Sequence, residues 1–308
     1  MRSTQIHEVS YKPFKSVISV KPNDDNEPVA VMANGKKKLS KQHVQEWDSM
    51  LDSGTIPNYM EFIKKTHPEM VTKTDNPNFK YHQIDIPSRM ILCAPSGRGK
   101  TNAILHLIHA FDGKSTDEPT FDSMQIVCAN QDEPYYDFLK EHCPTIKFTE
   151  GLSSLPRLTA ENFDKKKNHL IILDDIVTAK NQERIEDYYM MCRKFGVTIC
   201  YCSQKFHKIP IFIRQNATLL LLFDVGDEND MKRILSGMSF GVTKESLLQM
   251  YDYCTKDQGQ FLRVDITVRD IHKKFHKGFI EPIPFEIEKA QYKAKTTKAK
   301  KSSEDESD

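Results

Sequence analysis

RMILCAPSGRGKTNAILHLIHAF, residues 89–111, joins an apolar strand to a helix through a turn rich in small residues. The strand covers Arg89 to Ala94, and the helix runs from Lys100 to Phe111. Between them, Ala94-Pro95-Ser96-Gly97-Arg98-Gly99-Lys100-Thr101 fits the phosphate-binding P-loop pattern, with Ala94 in place of the usual first glycine. Ser96, Gly97 and Gly99 are small enough to let backbone N–H groups turn inward around phosphate oxygens, and the helix N-terminus adds its partial positive charge. Lys100 supplies a full positive charge to the β- and γ-phosphates. Gly-Lys-Thr alone is a common chance tripeptide. The strand before it and the helix after it make the phosphate reading specific.

The partner of such a loop is an apolar strand ending in carboxylates, and His169-Leu170-Ile171-Ile172-Leu173-Asp174-Asp175 is one. Asp174 is expected to hold Mg2+ together with the Thr101 hydroxyl, and Asp175 to polarise an attacking water as general base. ATP with magnesium is therefore the expected ligand pair. On its own this segment reads as a buried strand ending in a solvated acidic turn; the P-loop changes that reading. Ser123 to Ala129 is a further strand, expected in the sheet between the P-loop strand and the acidic one, as in the helicase and translocase branch of P-loop proteins. Val197 to Cys202 runs into Ser203-Gln204, which places the Gln204 amide beside the γ-phosphate as a sensor. The plain alternative for Gln204 is a strand-end amide that satisfies loop backbone.

Thr145 to Phe148 adds a short strand, Leu219 to Phe223 another, and Phe261 to Thr267 an expected edge strand. Helices are expected over Pro134 to His142 and over Gln182 to Phe195, the latter closed by Gly196. Apolar runs alternating with helices indicate an α/β fold: a three-layer P-loop NTPase sandwich with a mostly parallel central sheet. The domain is expected over residues 78–287. Ahead of it, residues 1–77 read as a partly disordered extension with two short helices, from Ser40 to Gly54 and from about Asn58 to Lys65. Behind it, residues 288–308 are Lys-rich and then acidic, with almost no apolar content, and read as a disordered tail.

Composition restrains the function. With 44 Lys and Arg against 43 Asp and Glu among 308 residues, the chain lacks the overall basic charge that advertises nucleic-acid binding. Any DNA contact must come from a local patch or from a ring of subunits. Seven scattered cysteines, with no Cys-x-x-Cys pair, read as reduced thiols in an intracellular protein. The closest two, Cys200 and Cys202, are expected on opposite faces of a strand. No stretch approaches the roughly 20 apolar residues of a membrane span, and the N-terminus lacks the apolar run of a signal peptide.

Over residues 85–225 the chain resembles the genome-packaging ATPases of large DNA viruses and virophages, within the FtsK–HerA superfamily. The resemblance is carried by APSGRGKT at 94–101, IILDD at 171–175, and RKFGVTICYCSQKFHKIPIFIRQN from Arg193 to Asn216. The third block, with its strand ending in Ser-Gln and its Ile213-Arg214-Gln215-Asn216 segment, is the most specific. The resemblance implies a homo-oligomeric ring that drives double-stranded DNA into a preformed capsid, with capsid proteins at the packaging vertex as partners. It also implies a location in the infected host cell, in a cytoplasmic viral factory or the nucleus, or in the virion. The superfamily often carries glutamate as its base, so Asp175 must reach further.

In a ring, a neighbour's arginine can stabilise the transferring phosphoryl group. Arg214 ranks first, then Arg193 and Arg184, all expected near the catalytic edge of the sheet; surface pairing with acidic residues is the alternative for each. Lys205 and Lys208 flank Phe206 in a segment that could line a pore or simply solvate a connector, and Lys232 and Arg233 are weaker DNA-contact candidates. A helicase or cellular DNA pump of the same branch, and an ATP-gated scaffold protein, are the competing functions. Intact Lys100, Thr101, Asp174 and Asp175 argue against the scaffold.

Overall fold

The protein is described by a computed structural model at residues 19–22, 28–31, 49, 75–113, 118–177, 179, 182–226, 228–238 and 240–290. The chain divides into two compact units, Met1–Lys73 and Thr74–Asp308. In the first, β1 (Ser19–Pro22) pairs antiparallel with β2 (Pro28–Val31). Apart from Ser49, the helices expected over 40–54 and 58–65 lie outside the described residues.

The second unit is built on one sheet of nine strands. In chain order its elements are α1 (Phe79–His82), β3 (Arg89–Cys93), α2 (Lys100–Asp112), β4 (Ser123–Cys128), α3 (Pro134–His142), β5 (Ile146–Glu150) and β6 (His169–Asp174). Next come α4 (Glu183–Met191), β7 (Val197–Ser203), α5 (Ile211–Asn216), β8 (Leu219–Phe223), α6 (Glu228–Gly237) and α7 (Lys244–Thr255). The unit closes with β9 (Phe261–Asp265), α8 (Ile271–Lys274), β10 (Phe275–Lys277) and β11 (Glu281–Pro282). The strands lie side by side in the order β11-β10-β9-β8-β3-β7-β6-β4-β5. The run from β8 to β5 is parallel throughout, whereas β9, β10 and β11 add antiparallel.

Every residue of β6, β7 and β8 is buried, as expected of parallel strands covered on both faces. Alternate side chains feed two cores. On one face, Ala103, Ile104, Leu107, Ile108 and Phe111 of α2 pack with Tyr136 and Leu139 of α3. On the other, Ile185, Tyr188 and Tyr189 of α4 join Met231, Ile234, Leu247 and Met250. Helix, sheet and helix make the three layers expected from the apolar periodicity.

Several expectations need correction. The strand between the P-loop strand and the acidic strand is β7, not Ser123–Ala129; β4 lies beyond β6. Phe261–Thr267 is no edge strand: β9 ends at Asp265 and lies between β8 and β10, with every residue buried. Cys200 and Cys202, two apart on β7, point to the same face with their sulfurs 3.7 Å apart, as the two-residue period of a strand requires. All seven cysteines are free. The helix expected over 182–195 is α for Glu183–Met191 and tightens to a 3₁₀ turn over Cys192–Phe195. Gly196 closes it at φ 65°, where a Cβ would meet the Lys167 carbonyl oxygen at 2.3 Å. Past the expected boundary at 287, Lys289 bridges Val242 and the Ala290 N–H donates to the Gly241 carbonyl at 3.0 Å. The rest of the tail lies outside the described residues. Among the described residues no helix is long and apolar enough to cross a membrane.

A buried polar knot joins the antiparallel strands to α1. Arg263, 1% exposed, donates to the carbonyl oxygens of His82, Gln83 and Phe279 and lies 3.6 Å from the Asp265 carboxylate. His82 and His276 are buried around it, and His82 Nδ1 accepts the Ile84 N–H at 2.9 Å. Burial first, and the Arg263 charge second, lower both imidazoles from 6.5 to about 4; the Asp265 carboxylate opposes this at His276. A folded pKa below the unfolded one means that the unfolded chain binds more protons between those values. Stability is therefore expected to fall as pH drops from about 6.5 to about 4. Urea midpoints taken across that window should show it, and His276→Gln should flatten the slope.

Candidate functional site

The carboxyl ends of β3, β7 and β6 lie next to one another, and four side chains meet there. After β3, the loop folds back on itself: the Ala94 N–H donates to the Ser203 carbonyl at 3.0 Å and the Arg98 N–H to the Pro95 carbonyl at 3.2 Å. Gly97 and Gly99 have φ of 75° and 101°, a backbone that L side chains rarely adopt. Gly99 has a second constraint, since a Cβ there would stand 2.9 Å from Gly259 Cα. Gly99 is the N-cap of α2, and no side chain caps that end. The first N–H groups of a thirteen-residue helix are thus available to an anion.

Lys100 leaves this turn with its ammonium 2.9 Å from Asp174 Oδ1 and in a close hydrogen bond with Asp175 Oδ2. Burial works against its charge. The Asp174 charge and the hydrogen bonds to Asp175 and Asp174 outweigh burial, and its pKa lies above the ordinary lysine value. At the end of β7, Gln204 Nε2 donates to Asp175 Oδ2 at 3.1 Å. The structure therefore brings Lys100, Asp174, Asp175 and Gln204 together, and the strand order explains the meeting. Because β7 is flanked by β3 and β6, the residue that follows it reaches the carboxylate that follows β6. Asp175 sits at φ 52°, a left-handed backbone that turns its side chain toward Lys100 and Gln204.

Asp174 is 3% exposed and its two oxygens differ. Oδ2 accepts hydrogen bonds from Tyr135 and, at 2.9 Å, from Tyr136. Oδ1 is buried without a hydrogen-bond donor; Lys100 approaches it closely enough to pair electrostatically but without hydrogen-bond alignment. An orphaned buried carboxylate oxygen beside the Thr101 position suits a hard divalent cation, so the residues fit magnesium held by Thr101 and Asp174.

Two neighbouring turns bound the loop. Arg98 pairs with Asp224 at 2.9 Å, so within the loop it offers its backbone rather than its side chain to a phosphate. Gln258 approaches the Gly97 carbonyl at 3.5 Å. Tyr135, Tyr136, Asp224 and Gln258 were not singled out from the sequence. Only the tyrosines left a signal: an aromatic pair directly after Pro134, where a helix starts beyond a buried strand.

The arginines do not join the cluster. Arg193 precedes β7 and so lies at the amino ends of the parallel strands, opposite the P-loop, lining a cavity of about 360 Å³ with Arg89 and Asp265. Its expected place near the catalytic edge is corrected: the Gly196 turn leads into the start of a parallel strand, not out of its end. Arg184 donates to the Leu155 carbonyl at 2.9 Å. Arg214 donates to the Ile209 carbonyl at 3.0 Å and stands over the Phe206 ring.

The Poxvirus A32 protein family matches residues 76–272. Among solved structures, the chain is similar to the genome packaging NTPase B204 from Sulfolobus turreted icosahedral virus 2 in complex with AMPPCP. That match has 14% identity, covers 65% of this chain and 100% of that one, and has a TM-score of 0.46. It is also similar to B204, the DNA-packaging ATPase from Sulfolobus turreted icosahedral virus, at 15% identity, 68% and 100% coverage and a TM-score of 0.46. The pCW3 conjugation coupling protein TcpA matches at 13% identity, 64% and 61% coverage and a TM-score of 0.39. No curated protein matches.

Proposed function

The chain belongs to the Poxvirus A32 protein family, and on that premise we propose that it is an ATP-hydrolysing motor that moves double-stranded viral DNA into a preformed capsid. The reading rests on the meeting of Lys100, Asp174, Asp175 and Gln204 at the carboxyl ends of three adjacent parallel strands. No single one of these contacts requires catalysis. Together they supply a phosphate cradle, a metal carboxylate, a base and a sensor.

Each group has one job in hydrolysis. The amides of residues 95–100 and the N-terminus of α2 hold the β- and γ-phosphates. Lys100 neutralises the charge that spreads over the γ-phosphoryl oxygens. Thr101 and Asp174 would hold magnesium, which bridges phosphate oxygens and withdraws their charge. Asp175 orients water in line with the leaving oxygen and takes its proton. Gln204, already hydrogen bonded to Asp175, reports the γ-phosphate to β7 and the 204–208 segment that follows.

The reading also includes a ring of identical subunits, capsid proteins at the packaging vertex, and work inside the infected cell. An arginine that serves a neighbour's nucleotide must lie away from its own. Arg193 meets that condition, so it and Arg214 remain the candidates for a contact in trans.

The test is the steady-state ATPase rate of the assembled protein with and without blunt linear duplex. The expected outcome is severalfold stimulation by duplex without strand separation. Unwinding of forked duplex would move the reading to a helicase. Hydrolysis indifferent to DNA would sink the motor and favour an ATP-gated scaffold.

A further inference from the structure

Tyr135 and Tyr136 are consecutive residues in the first turn of α3, and both phenols donate to the same oxygen of Asp174. Neighbouring residues on a helix diverge by about 100° around its axis. One oxygen can receive both only if the end of β6 lies across that first turn. Pro134 at the start of the helix and the contact between the two rings, 4.0 Å between centroids, hold them there. Tyr136 also packs edge-on against Phe148. Burial and the Asp174 charge push both phenols far above the ordinary tyrosine range, so they stay protonated donors.

A carboxylate oxygen has two lone pairs. Two phenols occupy both on Oδ2, while Oδ1 has no hydrogen-bond donor. Simple satisfaction of a buried carboxylate would not concentrate both donors on one oxygen and leave the other bare. The pattern instead restricts the carboxylate to a single further bond, through Oδ1. This restriction discriminates between cations. Calcium accepts bidentate carboxylates at about 2.3–2.6 Å in loose geometry, whereas magnesium takes one oxygen at about 2.0–2.1 Å in a strict octahedron.

We propose that Tyr135 and Tyr136 are positioning residues that confine Asp174 to monodentate metal binding and thereby select magnesium over calcium at the nucleotide site. The inference rests on the reading of Asp174 as the metal carboxylate. A calcium ion that chelates both oxygens must break two phenol hydrogen bonds; magnesium on Oδ1 breaks none.

The experiment measures binding of a fluorescent non-hydrolysable ATP analogue to the full chain, titrated separately with magnesium and calcium chloride. In Tyr135→Phe/Tyr136→Phe the preference for magnesium over calcium is expected to shrink by about tenfold or more, the usual size of an outer-shell effect on metal affinity. Metal-free analogue binding should hold steady. Tyr135 is only partly buried, so Tyr135→Phe alone keeps the test open if loss of the Tyr136 hydroxyl unfolds the chain; it should give part of the same shift. An unchanged preference in Tyr135→Phe and the double variant overturns the proposal. Asp174→Asn separates the two readings. If it leaves metal dependence intact, Asp174 is not the metal partner and both readings fall. If it removes metal dependence while the tyrosine variants keep the preference, only the tyrosine proposal falls.

Discussion

Lys100→Ala is expected to bring ATP hydrolysis to background, a loss of at least about 10³-fold, and to weaken nucleotide binding as well. The side chain is 13% exposed, and its ammonium is the cation between two carboxylates. Donors aimed at charge that develops in a water-poor site contribute about 10²–10³ each to rate, and a full cation aimed at phosphoryl oxygens contributes at least as much. Its removal does further damage. Asp174 and Asp175 then face each other without compensation at the place where the anionic γ-phosphate must enter. The two effects predict a rise in analogue Kd beside the fall in kcat. Lys100→Arg should not restore activity, because a planar guanidinium does not fit where a compact ammonium touches both Asp174 and Asp175. Retention of more than a tenth of the wild-type rate in Lys100→Ala, in protein shown to be folded, would remove the P-loop from the mechanism.

The P-loop and the acidic strand were legible because their chemistry is local: small residues, a lysine and a threonine must follow one another, and a carboxylate must end an apolar strand. The neighbours of these elements in space were not legible, because the order of strands along a chain does not give their order across a sheet. Ser123–Ala129 precedes the acidic strand in sequence yet lies outside it, and Val197–Ser203 follows the acidic strand yet lies inside it. Gln204 was nevertheless placed correctly beside the catalytic carboxylate, since a polar residue at the end of any parallel strand near the P-loop strand points to the same edge. Arg193 failed for the converse reason. It precedes its strand, so it belongs to the other end of the sheet. The edge position expected for Phe261–Thr267 failed because the two strands outside it are only three and two residues long. A segment such as Phe275-His276-Lys277 has too little alternation to register as a strand. Tyr135 and Tyr136 read as ordinary core aromatics on a helix face; that their hydroxyls meet on one carboxylate depends on the placement of β4 beside β6, which no local pattern encodes.

Asp175→Asn is expected to separate chemistry from binding, lowering kcat by about 10²–10⁴, the range of a lost general base, while analogue affinity and KM stay close to wild type. The substitution is clean for a backbone reason. Asp175 holds φ 52°, a left-handed conformation that asparagine adopts about as readily as aspartate. Alanine there would add strain of about 1–3 kcal/mol to the loss of charge and confuse the two. Asparagine also keeps an oxygen that can accept from Lys100 and from the Gln204 amide, 3.1 Å away in the wild type. What it lacks is the second anionic oxygen that takes the proton of the attacking water. Asp175→Glu tests the same point from the other side. Glutamate restores the charge but must hold a longer side chain on a left-handed backbone, so it should recover only part of the rate. The comparison with Lys100→Ala is decisive: that variant loses affinity and rate together, and Asp175→Asn should lose rate alone. Loss of affinity in Asp175→Asn to the same degree as in Lys100→Ala would make Asp175 a counter-ion that positions Lys100, and the base would have to be sought elsewhere around the β6 terminus.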